Sequence, residues 1–181
     1  MKLGEFTFKR RYSVAQIIVD IASVVAFLYI VFMVYACAMD IETAKSLNST
    51  DASLDFLKWQ PLIIWCVAGA AVWAVSVALL LRHRKLPKKY VVTEKYAQKY
   101  CNIIDSCISC MRLVVLLTVS EFCYMHMCSL MLRTVTFPIQ IVLQVIIAAL
   151  LLWFTAIRLE SVSQAAASEA EENKKRVIIE N

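Results

Sequence analysis

Four uninterrupted apolar stretches constrain this chain more than any other feature of its sequence. They run from about Val14 to Ala38, Pro61 to Leu81, Ile108 to Leu132 and Pro138 to Ile157. Crossing the hydrocarbon core of a bilayer takes roughly 20 apolar residues in a helix, and each stretch meets that length. Backbone polar groups cannot stay unpaired in lipid, so each crossing must be helical. The composition agrees: 61% of the 181 residues are hydrophobic and 18% are charged, a balance far from that of a soluble domain. With only 2 glycines and 3 prolines, the chain lacks the turn chemistry of a many-stranded barrel. The fold class expected is an all-α integral membrane protein, a four-transmembrane-helix bundle. Its membrane domain covers residues 1–160 and a charged tail follows at 161–181.

Lysine and arginine set the expected orientation. Lys2, Lys9, Arg10 and Arg11 precede the first span. Arg82, Arg84, Lys85, Lys88, Lys89, Lys95 and Lys99 lie between the second and third, and Arg158, Lys174, Lys175 and Arg176 follow the fourth. Apart from Arg112, only Lys45, Lys58 and Arg133 lie elsewhere. By the positive-inside rule both termini and the middle segment are cytoplasmic, with the plasma membrane the expected location. The net charge of +5 is thus accounted for by orientation and lipid headgroups rather than by nucleic acid. The first stretch is too long for a cleavable signal and reads as a retained span.

Pro61 and Pro138 open their helices, where a missing N–H does no harm. Thr136 or Phe137 would cap the fourth helix, and Arg133 to Phe137 make a tight turn between spans three and four. Trp59 and Trp65 bracket the start of span two, as in an aromatic belt. Asn48-Ser49-Thr50 is a glycosylation sequon. Between Thr93 and Cys107, Tyr96, Tyr100, Ile103 and Cys107 recur at helical spacing with Lys95 and Lys99 to one side. That stretch is either an amphipathic helix on the cytoplasmic leaflet, bending into the third span, or a plain extension of the span-three helix into solvent. In the tail, Glu171–Lys175 and Glu172–Arg176 are well-oriented i,i+4 pairs, so the last helix should continue for a few turns before fraying.

Ionisable groups inside a span cost several kcal/mol by insertion scales and face protein or water. Glu121 lies near the middle of span three, with Arg112 on the opposite face of the same helix. It is either a neutral carboxyl hydrogen-bonded to Gln144 or a proton- or cation-linked site. Ser76 is a further polar candidate. Asp20 shares one face of span one with Ser13, Gln16 and Ser23, and its depth matches that of Arg112, which makes an Asp20–Arg112 salt bridge the expected pairing. His126 is a lone imidazole in span three. With His83 in the middle segment, it has no second histidine for a haem. Cys66, Ala70, Ala74 and Ala78 recur every four residues in span two and mark a close-packing face, within the bundle or against another subunit.

Cys107-Ile108-Ser109-Cys110 is a CxxC, but it lies at the cytoplasmic end, where thiols stay reduced, and it lacks the strand–helix context of a redox domain. Cys37, Cys66 and Cys128 lie toward the other side and are close enough in depth to pair. No phosphate-binding loop, zinc-protease motif or nucleophile elbow is present, and no cofactor is expected. The expected function is a non-enzymatic accessory or regulatory module. Its partners would be the lipid bilayer and another membrane protein, or a second copy of itself, with no nucleic acid. The alternative is a small proton- or cation-linked transporter or channel subunit using Glu121 and Asp20.

Overall fold

The computed structural model describes residues 2–3, 6–7, 13–47, 62–81, 94–130 and 139–179. Four long helices account for almost all of them, each with an apolar window long enough to cross a membrane. They are α1 (Val14–Leu47), α2 (Val67–Leu81, entered through a π-helical turn at Leu62–Cys66), α3 (Glu94–Leu130) and α4 (Ile139–Ile179). Ahead of them lies a ribbon of two antiparallel two-residue strands, β1 (Lys2–Leu3) and β2 (Phe6–Thr7). Such a ribbon is too short to be stable alone, and the sequence carried no sign of it. The sequon at Asn48, Trp59, the basic stretch at 82–93 and the turn and cap at 133–137 lie outside the described residues.

The start of α1 follows from a local pattern. Ser13 Oγ accepts from the Gln16 backbone N–H at 3.2 Å, and Gln16 Oε1 accepts from the Ser13 N–H at 2.9 Å. This is a reciprocal capping box. Gln16 also reaches out of its own helix: its Nε2 donates to Ser106 Oγ of α3 at 2.9 Å. One side chain therefore both starts α1 and sets its register on α3.

Helix α3 is the hub. Helices α1, α2 and α4 all pack on it, and the π-helical turn fits between α1 and α2. The main core is made by three helices only. Ala26, Ile30 and Val34 of α1 meet Leu116, Cys123 and Met127 of α3, and Trp65, Cys66, Val72 and Trp73 close it from the α2 side. Helix α4 lies along the other flank of α3. Within the membrane it buries little besides Ile141, leaving Leu143, Leu150, Trp153 and Phe154 exposed.

The two longest helices far exceed the length that a membrane crossing needs. At about 1.5 Å per residue, the 37 residues of α3 and the 41 of α4 make rods of roughly 55 and 60 Å, against about 30 Å of hydrocarbon. Residues 94–107 continue the α3 helix without a break, but this extension does not run into solvent. Its apolar stripe is not laid on lipid. Ala97, Tyr100, Cys101 and Ile103 are buried against Val162 and Leu159 of α4. The tail is accordingly helical through Ile179, with Val162, Ser163 and Ala166 buried. The two overhangs form a two-helix stalk, because each lends the other the apolar face that neither could bury alone. Lys95 Nζ meets Glu169 Oε1 at 2.6 Å near its far end.

The small-residue stripe of α2 is not its contact face within the bundle. Ala70, Ala74 and Ala78 are exposed, and of the four only Cys66 reaches the core. The face α2 turns inward carries Gly69, Val72, Trp73 and Ser76 instead. A Cβ built on Gly69 would come within 2.8 Å of the Phe27 ring of α1. The close approach therefore occurs at the one residue without a side chain, a quarter-turn away from the alanines.

Candidate functional site

The strongest polar constellation joins α1, α2 and α3. Arg112 Nη2 donates to Asp20 Oδ1, so the two residues expected to pair are brought together. The same guanidinium lies over the Trp73 indole, 4.1 Å from its centroid, a cation–π geometry that partly replaces lost hydration. Arg112 Nε and Trp73 Nε1 are both buried without a hydrogen-bond partner. Asp20 sits in the expected polar stripe, whose Gln16 and Ser23 are buried, Ser23 Oγ turning back to the Val19 carbonyl at 2.8 Å.

Arg112 also borders a groove of about 490 Å³ between α2, α3 and α4. Ser76 and Cys107 line it alongside Val72, Val75, Met111 and Leu152. The Ser76 hydroxyl is committed to the Trp73 carbonyl at 2.8 Å. The groove is therefore almost wholly apolar, with the charge pair at its back.

The other intramembrane polar residues form separate pairs. Thr118 Oγ1 shares its proton between Gln144 Oε1, at 2.8 Å, and the Val114 carbonyl, at 2.9 Å. Gln144 is thus engaged by Thr118 and not by Glu121, which corrects the expected Glu121–Gln144 bond. A threonine one turn before the carboxyl lies on the α4 side and takes the amide first. Among the described residues no hydrogen bond reaches the Glu121 carboxyl. Glu121 lies nine residues beyond Arg112, roughly 13 Å along the axis, so it and Asp20 do not share a site.

Trp65 corrects the aromatic-belt expectation. Its ring packs into the main core, and its Nε1 donates to His126 Nδ1 at 2.8 Å. The two rings meet edge to face, with centroids 5.9 Å apart. Among the described residues no disulfide joins Cys107 to Cys110, and none involves Cys66, Cys101, Cys123 or Cys128. The Cys37 side chain lies outside the described residues.

One buried residue escaped sequence reasoning. Asp105 is 1% exposed, yet it sits where the chain reads as a solvated basic stretch. The available signal was the tyrosine stripe itself: Asp105 is five residues past Tyr100 and next to Ser106, which bonds Gln16. A face that serves both α1 and α4 leaves no solvent side at that level.

At the outer end of the stalk, charge placement is conventional. The Lys95 ammonium hydrogen-bonded to Glu169 holds that carboxyl below its ordinary value, with Tyr96 adding to the effect. Reciprocally the Glu169 carboxylate, through the same hydrogen bond and its charge, pushes Lys95 up.

Among the described residues no cluster of three or more metal-type ligands occurs. No protein-family model matches the chain, and no curated protein and no solved structure matches it.

Proposed function

We propose that the protein is a non-enzymatic accessory or regulatory module of the plasma membrane, with both termini cytoplasmic, that binds another membrane protein or a second copy of itself. Cationic residues at both ends and in the middle segment support that orientation.

The observation that carries this reading is the way the intramembrane polar groups are used. Asp20 bonds Arg112, Trp65 bonds His126 and Thr118 bonds Gln144, each across a helix–helix contact. Such pairs hold helices together; they do not converge on a common space where a substrate would react. Meanwhile the Ala70–Ala74–Ala78 flank of α2 is turned outward. Small residues there allow the backbone of another transmembrane helix to approach closely.

Copurification in mild detergent tests the proposal, combined with crosslinking from Ala74→Cys. A discrete crosslinked partner, lost when Ala70 and Ala74 are both replaced by Phe, is the expected result. An unchanged set of copurifying chains after that replacement would refute it.

Glu121 favours one second reading, a proton- or cation-linked transporter subunit, because it is a half-buried carboxyl with no described hydrogen-bond partner. Flux driven by a pH gradient in proteoliposomes, abolished by Glu121→Gln, would establish that reading in place of the first.

A further inference from the structure

The π-helical entrance to α2 is fastened to α3 by a hydrogen bond that only a neutral imidazole can make. Trp65 lies in that turn, Leu62–Cys66, and its indole N–H is solely a donor. The nitrogen it meets, His126 Nδ1 at 2.8 Å, must therefore be unprotonated, with the ring hydrogen on Nε2. A histidinium carries protons on both nitrogens and accepts nothing. The bond is thus present in one charge state and impossible in the other.

The surroundings sharpen the contrast. Helix α2 offers Cys66 as its one ionisable side chain in the described range, and α4 carries none between Ile139 and Ile157. The α1 residues of the core that Trp65 packs on are Ala26, Ile30 and Val34, with Tyr35 exposed. The side chains of Asp40, Glu42 and Lys45, farther along α1, lie outside the described residues. On α3 itself Cys123, Tyr124 and Cys128 are the ionisable residues within three positions of His126, and Glu121 is turned about 140° away around the helix. A proton added to His126 thus places a charge against the Trp65 indole.

We propose that His126 and Trp65 form a pH-operated latch. With His126 neutral, Trp65 is held and the π-helical turn is pinned to α3. When His126 takes up a proton from the side of the membrane where α2 begins, Trp65 is released and the turn loosens. A π-turn is a strained, interconvertible element that recurs where helices must rearrange. It stands here against α1, and its Trp65 reaches across to His126 of α3. Acidity would thereby change the outer end of α2 without touching the Asp20–Arg112 contact.

The chain has two histidines, His83 and His126, which makes the test direct. The full chain, with His83→Asn and ring-15N histidine and 15N indole labels, is placed in lipid nanodiscs and titrated from about pH 8 to about pH 5, the range in which histidine changes charge. Trp65→Phe identifies the indole signal. If that variant does not fold, the indole that couples across the hydrogen bond to the His126 nitrogen is assigned without it.

At the alkaline end, Nδ1 should be unprotonated and hydrogen-bonded. On acidification, protonation of His126 and an upfield move of the Trp65 indole proton should share one midpoint. Backbone exchange at 62–66 should rise about fivefold at that midpoint, the factor expected from losing one ordinary hydrogen bond. The indoles of Trp59, Trp73 and Trp153 should not follow it. A proton on Nδ1 at alkaline pH would overturn the latch. So would a Trp65 signal indifferent to His126 protonation, or a His126 that stays neutral throughout.

Discussion

Arg112 exposes 3% of its side chain while its partner Asp20 exposes 35%. The two halves of this ion pair therefore stand in unequal surroundings. A buried charge deprived of its counter-ion cannot rehydrate, whereas a carboxylate at a half-open position can reach headgroups or take up a proton.

Asp20→Asn should accordingly be the more damaging single change. It strands the guanidinium with only the Trp73 ring for company, at a cost of about 3–5 kcal/mol. Arg112→Leu should cost less, because Asp20 retains access to solvent or lipid headgroups. Exchanging the pair, Asp20→Arg with Arg112→Asp, should recover part of the loss. Thermal unfolding in detergent, followed by helical circular dichroism, checks the ranking; equal losses for both single variants would contradict it.

The Gly69–Phe27 contact should be sensitive to the first added carbon. Gly69→Ala gains about 1 kcal/mol of helix propensity but drives a Cβ to 2.8 Å from the Phe27 ring. Overpacking of this kind costs about 1–3 kcal/mol, so a small net loss is expected. Gly69→Leu should fail outright. Phe27→Leu should rescue Gly69→Ala, turning it into a stabilising change in the same melting experiment.

Core and flank leucines should differ sharply. Leu116 is fully buried at the hub of the three-helix core and Leu150 is exposed on α4. Leu116→Ala should lose about 2–5 kcal/mol through the cavity it leaves. Leu150→Ala exchanges one lipid-facing alkyl group for another and should change the melting temperature little.

The stalk should open when its small contacts are enlarged. Ala97 and Ala166 are buried where α3 and α4 approach. Replacing either by Leu should splay the two overhangs. Spin labels at positions 98 and 170 would read a longer and broader distance distribution than in the parent, with the membrane core unaltered.

The stalk tip should also respond to pH, weakly. Glu169 is held below its usual 4.5 by the Lys95 hydrogen bond, so its contribution is complete above about 4.5 and fades as pH falls through the lowered value. Lys95 is raised above its usual 10.5, so its contribution is complete below 10.5 and fades as pH rises through the raised value. Amide exchange near 95 and 169 should be slowest between these limits. Because the pair is exposed, the effect should shrink in high salt.

Several parts of this architecture were open to reading from the chain alone. Four helices follow from four apolar stretches of hydrocarbon length, because lipid gives the backbone no other partner. Asp20 and Arg112 could be matched by depth, since one costly charge in a membrane calls for another. The capping box at Ser13 and Gln16 was read only from the structure.

What the sequence could not determine was phase: which face of each helix meets which neighbour. An apolar helix in lipid has no polar side to mark its outside, so periodicity names candidate faces without choosing among them. The alanine stripe of α2 fitted a contact within the bundle or against another subunit, and within the bundle it is Gly69 that meets the Phe27 ring of α1. The stripe of Tyr96, Tyr100 and Ile103 fitted lipid as well as protein until the overhang of α4 supplied Val162 to cover it. Trp65 and His126, 61 residues apart, became donor and acceptor only when α2 and α3 were laid side by side. Segment length and charge are properties of one strand of sequence; contact is a property of two, and it is settled by which surfaces fit once all four helices share a space.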